Sequence, residues 1–163
     1  MTSYEIDISI QDERWAVAIP EIETLTRTAI TKVLGQSAYS RQSLEVSIVL
    51  ANDVFVQELN KTYRHKDKPT NVLSFPQTDA DDVSEQLLPV ISLGDIIIAY
   101  ETILKESEEQ SKTITDHYTH MLVHGGLHLL HYDHQIESEA QIMEALEAEI
   151  LNTMDIKNPY ETQ

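Results

Sequence analysis

Four of the chain's seven histidines fall within eleven residues, "HGGLHLLHYDH", from His124 to His134. His124 and His128 are four apart, which on an α-helix places them one turn apart on the same face. Two imidazoles so placed grip one ion, and helical zinc sites start from this spacing. A straight helix cannot wrap around the ion, so a third ligand must come from beyond its end. His134 is placed to return if the helix stops near Leu130. Three histidines with a fourth position left to water are the pattern of a catalytic zinc site rather than a closed structural one. Such an ion would lower the pKa of its bound water and polarise the bond under attack. Asp133 stands beside His134 and is placed to orient a ligand imidazole. Gly125 occupies the position where a helical zinc protease keeps its glutamate base. Peptide hydrolysis by that route is therefore not expected. One alternative stays open. His117, His120, His124, His128 and His131 fall on one helical face, and such a stripe also suits a hydrogen-bonded seam or a solvated edge.

A second stretch carries different chemistry. Four of the eleven Lys and Arg residues, Lys61, Arg64, Lys66 and Lys68, lie within "KTYRHKDK". Basic residues near a helix end complement its dipole, and Lys66 and Lys68 suit plain solvation. The functional alternative is a basic lip for phosphates, with the planar fork of Arg64 taking phosphoryl oxygens. A water-activating metal with an arginine beside it would suit phosphodiester hydrolysis.

These residues need elements to position them. "YEIDISI" and "SLEVSIVLA" read as strands, and "TNVLSFP" as a short strand closed by Pro76. "AIPEIETLTRTAITKVLGQ" reads as a helix ended by Gly35. "NDVFVQELNKTYR" reads as a helix capped by its Asn/Asp pair. "ISLGDIIIAYETILKESEEQ" passes from a buried strand into a helix. "TITDHYTHMLVHGGLHLL" is a long helix capped at Thr115, Asp116 or earlier, and "SEAQIMEALEAEILNTM" is a final amphipathic helix. "QTDADDVSEQLLP" reads as a surface loop or hairpin arm, and the tail "DIKNPYETQ" as a surface extension. Strands and helices interleave without strict alternation. The expected fold class is α+β: a single domain over residues 1–163, a small mixed β-sheet covered by helices, with the three-His metal site on a helix and the turn after it.

Bulk properties set limits. The 163 residues carry 11 Lys+Arg against 28 Asp+Glu, a formal charge of -17, which argues against broad nonspecific binding to nucleic acid or anionic membrane. The chain has no cysteine, which excludes disulfides and thiolate metal sites. The N-terminal stretch lacks a basic head and apolar run, and no apolar run is long enough to span a bilayer. A cytoplasmic location without membrane association is expected.

Together the two stretches resemble the YbeY family of bacterial rRNA maturation factors, described as metal-dependent endoribonucleases. "HGGLHLLHYDH" is similar to the family pattern H-G-x-L-H-L-x-G-Y-D-H. "LNKTYRHKDKPTNVLSFP" resembles its L-N-x-x-Y-R-x-x-x-x-P-T-D-V-L-S-F-P, "LGDIIIAYET" its L-G-D-I-x-I strand, and "NPY" its D-P-Y ending. The likeness runs from about Leu44 to Tyr160. It implies one zinc ion held by His124, His128 and His134, and a catalytic role for Arg64 at the metal cleft. It implies single-strand-specific cleavage in late maturation of ribosomal RNA, at the 16S 3′ end, and a part in ribosome quality control. Ribosomal RNA, small-subunit ribosomal proteins and a ribosome-associated GTPase are the implied partners. Two departures stand out. His131 replaces a glycine suited to a left-handed helix end, at a cost of roughly 1–2 kcal/mol, and is a candidate competing ligand. Asn71 replaces an aspartate, keeping its shape and losing its charge. Two alternatives are a ribosome assembly factor with a structural metal and no nuclease activity, and a metal-dependent hydrolase of a small substrate.

Overall fold

Alternating apolar residues build a four-stranded sheet in the computed structural model, which describes residues 3–37, 39, 42–78, 89–133 and 135–161. The strands are β1 (Tyr4–Ile10), β2 (Ser43–Ala51), β3 (Val72–Pro76) and β4 (Val90–Ala99), in the order β1-β2-β4-β3. β1, β2 and β4 run parallel, and β3 runs antiparallel to β4. The period of two divides β4 between the two faces of the sheet. Ile96 and Ile98 enter the main core, while Ile97 and Ala99 join a smaller cluster with Val56 and Leu73. The register of β2 against β4 shifts between Glu45 and Val46, which pair with Ser92 and Gly94. Gly94 permits this: its φ is 132°, and a Cβ there would lie 2.1 Å from the Phe75 carbonyl oxygen.

Among the described residues, six helices cover the sheet: α1 (Arg14–Ala18), α2 (Ile22–Leu34), α3 (Asp53–Arg64), α4 (Tyr100–Glu109), α5 (Ile114–Leu129) and α6 (Glu137–Asn152). The expected α+β class holds, with one internal correction. The helix expected from Ala18 starts only at Ile22, because Pro20 pushes Ile19 out of helical geometry (φ −130°, ψ 87°), and a short separate helix, α1, precedes it and ends at Ala18. Asn52 caps α3, its Oδ1 accepting from the Phe55 amide at 2.9 Å. Thr113 caps α5, its Oγ1 accepting from the Asp116 amide at 3.1 Å. The loop expected over residues 77–89 falls mostly outside the described residues.

α5 is the central helix. Tyr118, Leu122, Val123, Leu127 and Leu129 are buried in the main core with residues of α2, α6 and the sheet. Its two glycines set how deeply it sits. A Cβ on Gly125 would meet Val72, Ser74 and Ile96 at 3.0–3.1 Å, and one on Gly126 would meet Val33 at 2.9 Å. The backbone of α5 is thus wedged between the sheet and α2. Among the described residues, no helix is long and apolar enough to cross a membrane.

Candidate metal centre and basic cleft

The exposed side of α5 and the segment from α3 through β3 form the two walls of a cleft of about 810 Å³. His124, His128 and His131 line one wall; Arg64, Lys66, Lys68 and Asn71 line the other. The two stretches singled out in the sequence therefore meet in space.

Backbone geometry shapes the basic wall. His65 takes a left-handed conformation at the end of α3 (φ 58°), and the Asn60 carbonyl accepts from the amides of His65 and Lys66. The buried Asn60 side chain then donates to the Lys68 carbonyl at 2.9 Å. One asparagine so folds the basic segment back towards the cleft. Arg64 Nη2 donates to the Ser74 carbonyl at 2.7 Å, its guanidinium lies over the Phe75 ring, and Ser74 Oγ donates to the Gly125 carbonyl at 3.0 Å. Arg64 is tied through β3 to the helix that carries the histidines.

The histidine stripe divides into two kinds. His117 is buried, and its Nε2 donates to Glu106 at 2.8 Å. Burial holds its pKa below the usual imidazole range, against the pull of Glu106. His120, also buried, donates from Nε2 to Glu147 Oε1 at 2.9 Å. These two form the hydrogen-bonded seam that the spacing left open. His124 and His128 differ: their Nε2 atoms face each other at 3.1 Å on the cleft wall. Two imidazole nitrogens bound to one tetrahedral zinc at about 2.0–2.1 Å lie roughly 3.3 Å apart. The pair thus fits a shared ion with little movement. His134 lies outside the described residues. Its neighbours Asp133 and Gln135 both line the cleft. Among the described residues, no group of three or more metal-ligating side chains is gathered.

His131 takes the left-handed conformation its position asks for, with φ 71°. The His131 amide donates to the His128 carbonyl and the Tyr132 amide to the Leu127 carbonyl, the paired bonds of a Schellman helix end. The chain beyond α5 thus turns as it would around glycine. The His131 ring is engaged elsewhere, with Nε2 2.7 Å from Thr78 Oγ1. Replacing His131 with glycine relieves a left-handed side chain worth about 1 kcal/mol. A thermal melt should rise by about 2–4 °C with metal content unchanged. Clear loss of zinc in that variant would instead make His131 a ligand.

Two further features were not read from the sequence. Asn71 finds its side-chain partner on α4 rather than on the basic segment: Nδ2 donates to Glu106 Oε1 at 3.1 Å. An aspartate there would face the Glu106 carboxylate, so the amide suits this chain. The tail is more than a surface extension, since Tyr160 donates its hydroxyl to buried Glu147 at 3.0 Å. Glu147 also accepts from His124 Nδ1 at 3.1 Å. Burial alone would raise the Glu147 pKa. Hydrogen bonds from His120 and His124, with the charge these rings can carry, outweigh burial and lower it to about 2.

Comparison with known proteins places this arrangement. The family model described as Endoribonuclease YbeY matches residues 7–155. The chain belongs to the YbeY family. Two proteins named Endoribonuclease YbeY illustrate the relationship. The one from Paramagnetospirillum magneticum is 43% identical, with 98% of this chain and 97% of the relative covered. The one from Rhizobium etli (strain CIAT 652) is 46% identical, with 100% and 96% covered. The solution structure of TM1509 from Thermotoga maritima shares the fold, with a TM-score of 0.54 at 19% identity and 97% of each chain covered. Relative to the YbeY pattern, His131 here performs the turn assigned to glycine, and Asn71 is matched to Glu106.

Proposed function

We propose that this chain is a zinc-dependent, single-strand-specific endoribonuclease acting in late rRNA maturation at the 16S 3′ end and in ribosome quality control. The observation that carries the proposal is the cleft itself. The facing Nε2 atoms of His124 and His128 and the guanidinium of Arg64 line one cavity in a chain of the YbeY family. His124, His128 and His134 would hold the ion. When bound, zinc supplies Lewis acidity and a nucleophile usable at neutral pH. Arg64 offers its fork to a phosphoryl oxygen, where negative charge grows during attack on phosphorus. Lys66 and Lys68 extend that positive rim along a backbone, which gives an acidic chain a local place for RNA. Ribosomal proteins of the small subunit and a ribosome-associated GTPase are the proposed partners that deliver the substrate, in the cytoplasm.

Catalytic rather than structural use of the ion is supported by the burial of α5. That helix is held by a large apolar core, which supports a fold that stands without a metal staple. The test pairs metal analysis with an rRNA cleavage assay on one nuclease-free preparation. Cleavage should disappear with a chelator and return with added zinc. A metal-free preparation that cuts as fast as the loaded one contradicts the proposal.

A further inference from the structure

Glu147 is fully buried on α6, where Met143, Ile150 and Leu151 are its buried companions. A carboxylate in that position is costly unless donors surround it. Three are present. His120 Nε2, His124 Nδ1 and the Tyr160 hydroxyl approach Oε1 at 2.9, 3.1 and 3.0 Å, and Tyr160 also reaches Oε2 at 3.0 Å. They come from two turns of α5 and from the tail, so the cluster joins α5, α6 and the tail.

An ionised carboxylate only accepts, so each contact tells where a proton is. His124 must carry its proton on Nδ1, which leaves the Nε2 lone pair pointing at His128 in the cleft. Outer carboxylates hold metal-binding histidines in this way, fixing both tautomer and ring plane. We infer that Glu147 is the positioning residue of the site: it holds His124 with the proton on Nδ1 and presents Nε2 to an ion in the cleft. Tyr160 saturates the far side of the same carboxylate and seats the tail against it. The zinc-binding part of this inference rests on the metal reading above; the tautomer part does not.

The test begins with the wild-type protein without metal at pH 8.5, by long-range 1H–15N correlation of the histidine rings. His124 should show its proton on Nδ1 and none on Nε2. A proton found on Nε2 at that pH overturns the inference without any variant. Glu147→Gln removes the charge and keeps the shape. It should mix the His124 tautomers and weaken zinc binding, measured by competition with a chromophoric chelator, by about 10–100-fold. Unchanged tautomer and unchanged affinity in that variant also overturn the inference. Wild-type protein that shows the expected tautomer and binds no zinc supports the positioning of His124 and refutes the metal reading, so the two failures are distinguishable.

Discussion

Replacing His124 with alanine is expected to abolish zinc binding and RNA cleavage together. His124 is one of two imidazoles whose Nε2 atoms sit 3.1 Å apart, and a lone histidine on the helix leaves the ion without its chelating pair. Cleavage should fall by at least about a thousandfold, equivalent to roughly 4 kcal/mol of barrier. The fold should survive. The side chain is at the cleft surface, and Glu147 keeps His120 and Tyr160 as donors. Metal content by mass spectrometry, cleavage of a labelled single-stranded RNA and a thermal melt together decide the matter. A variant that keeps one zinc per chain and cuts at the wild-type rate rules out His124 as a ligand.

Arg64→Ala should separate chemistry from metal binding. Removing one preorganised group that stabilises developing charge costs about 10²–10³ in rate. The losses to the fold are one hydrogen bond to the Ser74 carbonyl and a contact over Phe75, both at the surface. Zinc content and melting behaviour should therefore stay close to wild type while cleavage collapses. Lysine at this position should not restore the rate, because an ammonium lacks the planar fork. If the protein were an assembly factor without intrinsic nuclease activity, the purified wild type would show no cleavage for Arg64→Ala to remove.

Much of the site was legible because its signals are local. The spacing of His124 and His128 fixes their common face whatever surrounds the helix, and the terminal turn at His131 follows from helix-end geometry. The meeting of Arg64 with the histidines came from family likeness, since no local rule connects residues sixty positions apart. Glu147 stayed hidden for the same reason. It is one of 28 acidic residues, and its partners lie on another helix and in the tail. One clue was present: it occupies an apolar position of α6, between Met143 and Ile150. Asn60 was hidden differently. Its role depends on a left-handed residue, His65, which sequence periodicity does not report. Pro20 was visible, yet the helix was expected from Ala18; the restriction Pro20 places on Ile19 delays α2 to Ile22, and the short α1 before it carried no signal that was read.

The seating of α5 has a genetic consequence. Gly125 packs against Val72, Ser74 and Ile96 and Gly126 against Val33, so a methyl group at either would meet side-chain atoms at 2.9–3.1 Å. An added carbon there requires these neighbours or the helix to shift, and the same helix carries His124 beside Gly125 and His128 two residues after Gly126. A screen for inactive alleles should therefore recover alanine at 125 and 126 beside substitutions of His124 and His128. The same crowding opposes an inherited route: glutamate at 125 would set a long charged side chain against Val72 and Ser74 of β3 and Ile96 of β4, so shape works against drift towards the glutamate-based peptidase pattern.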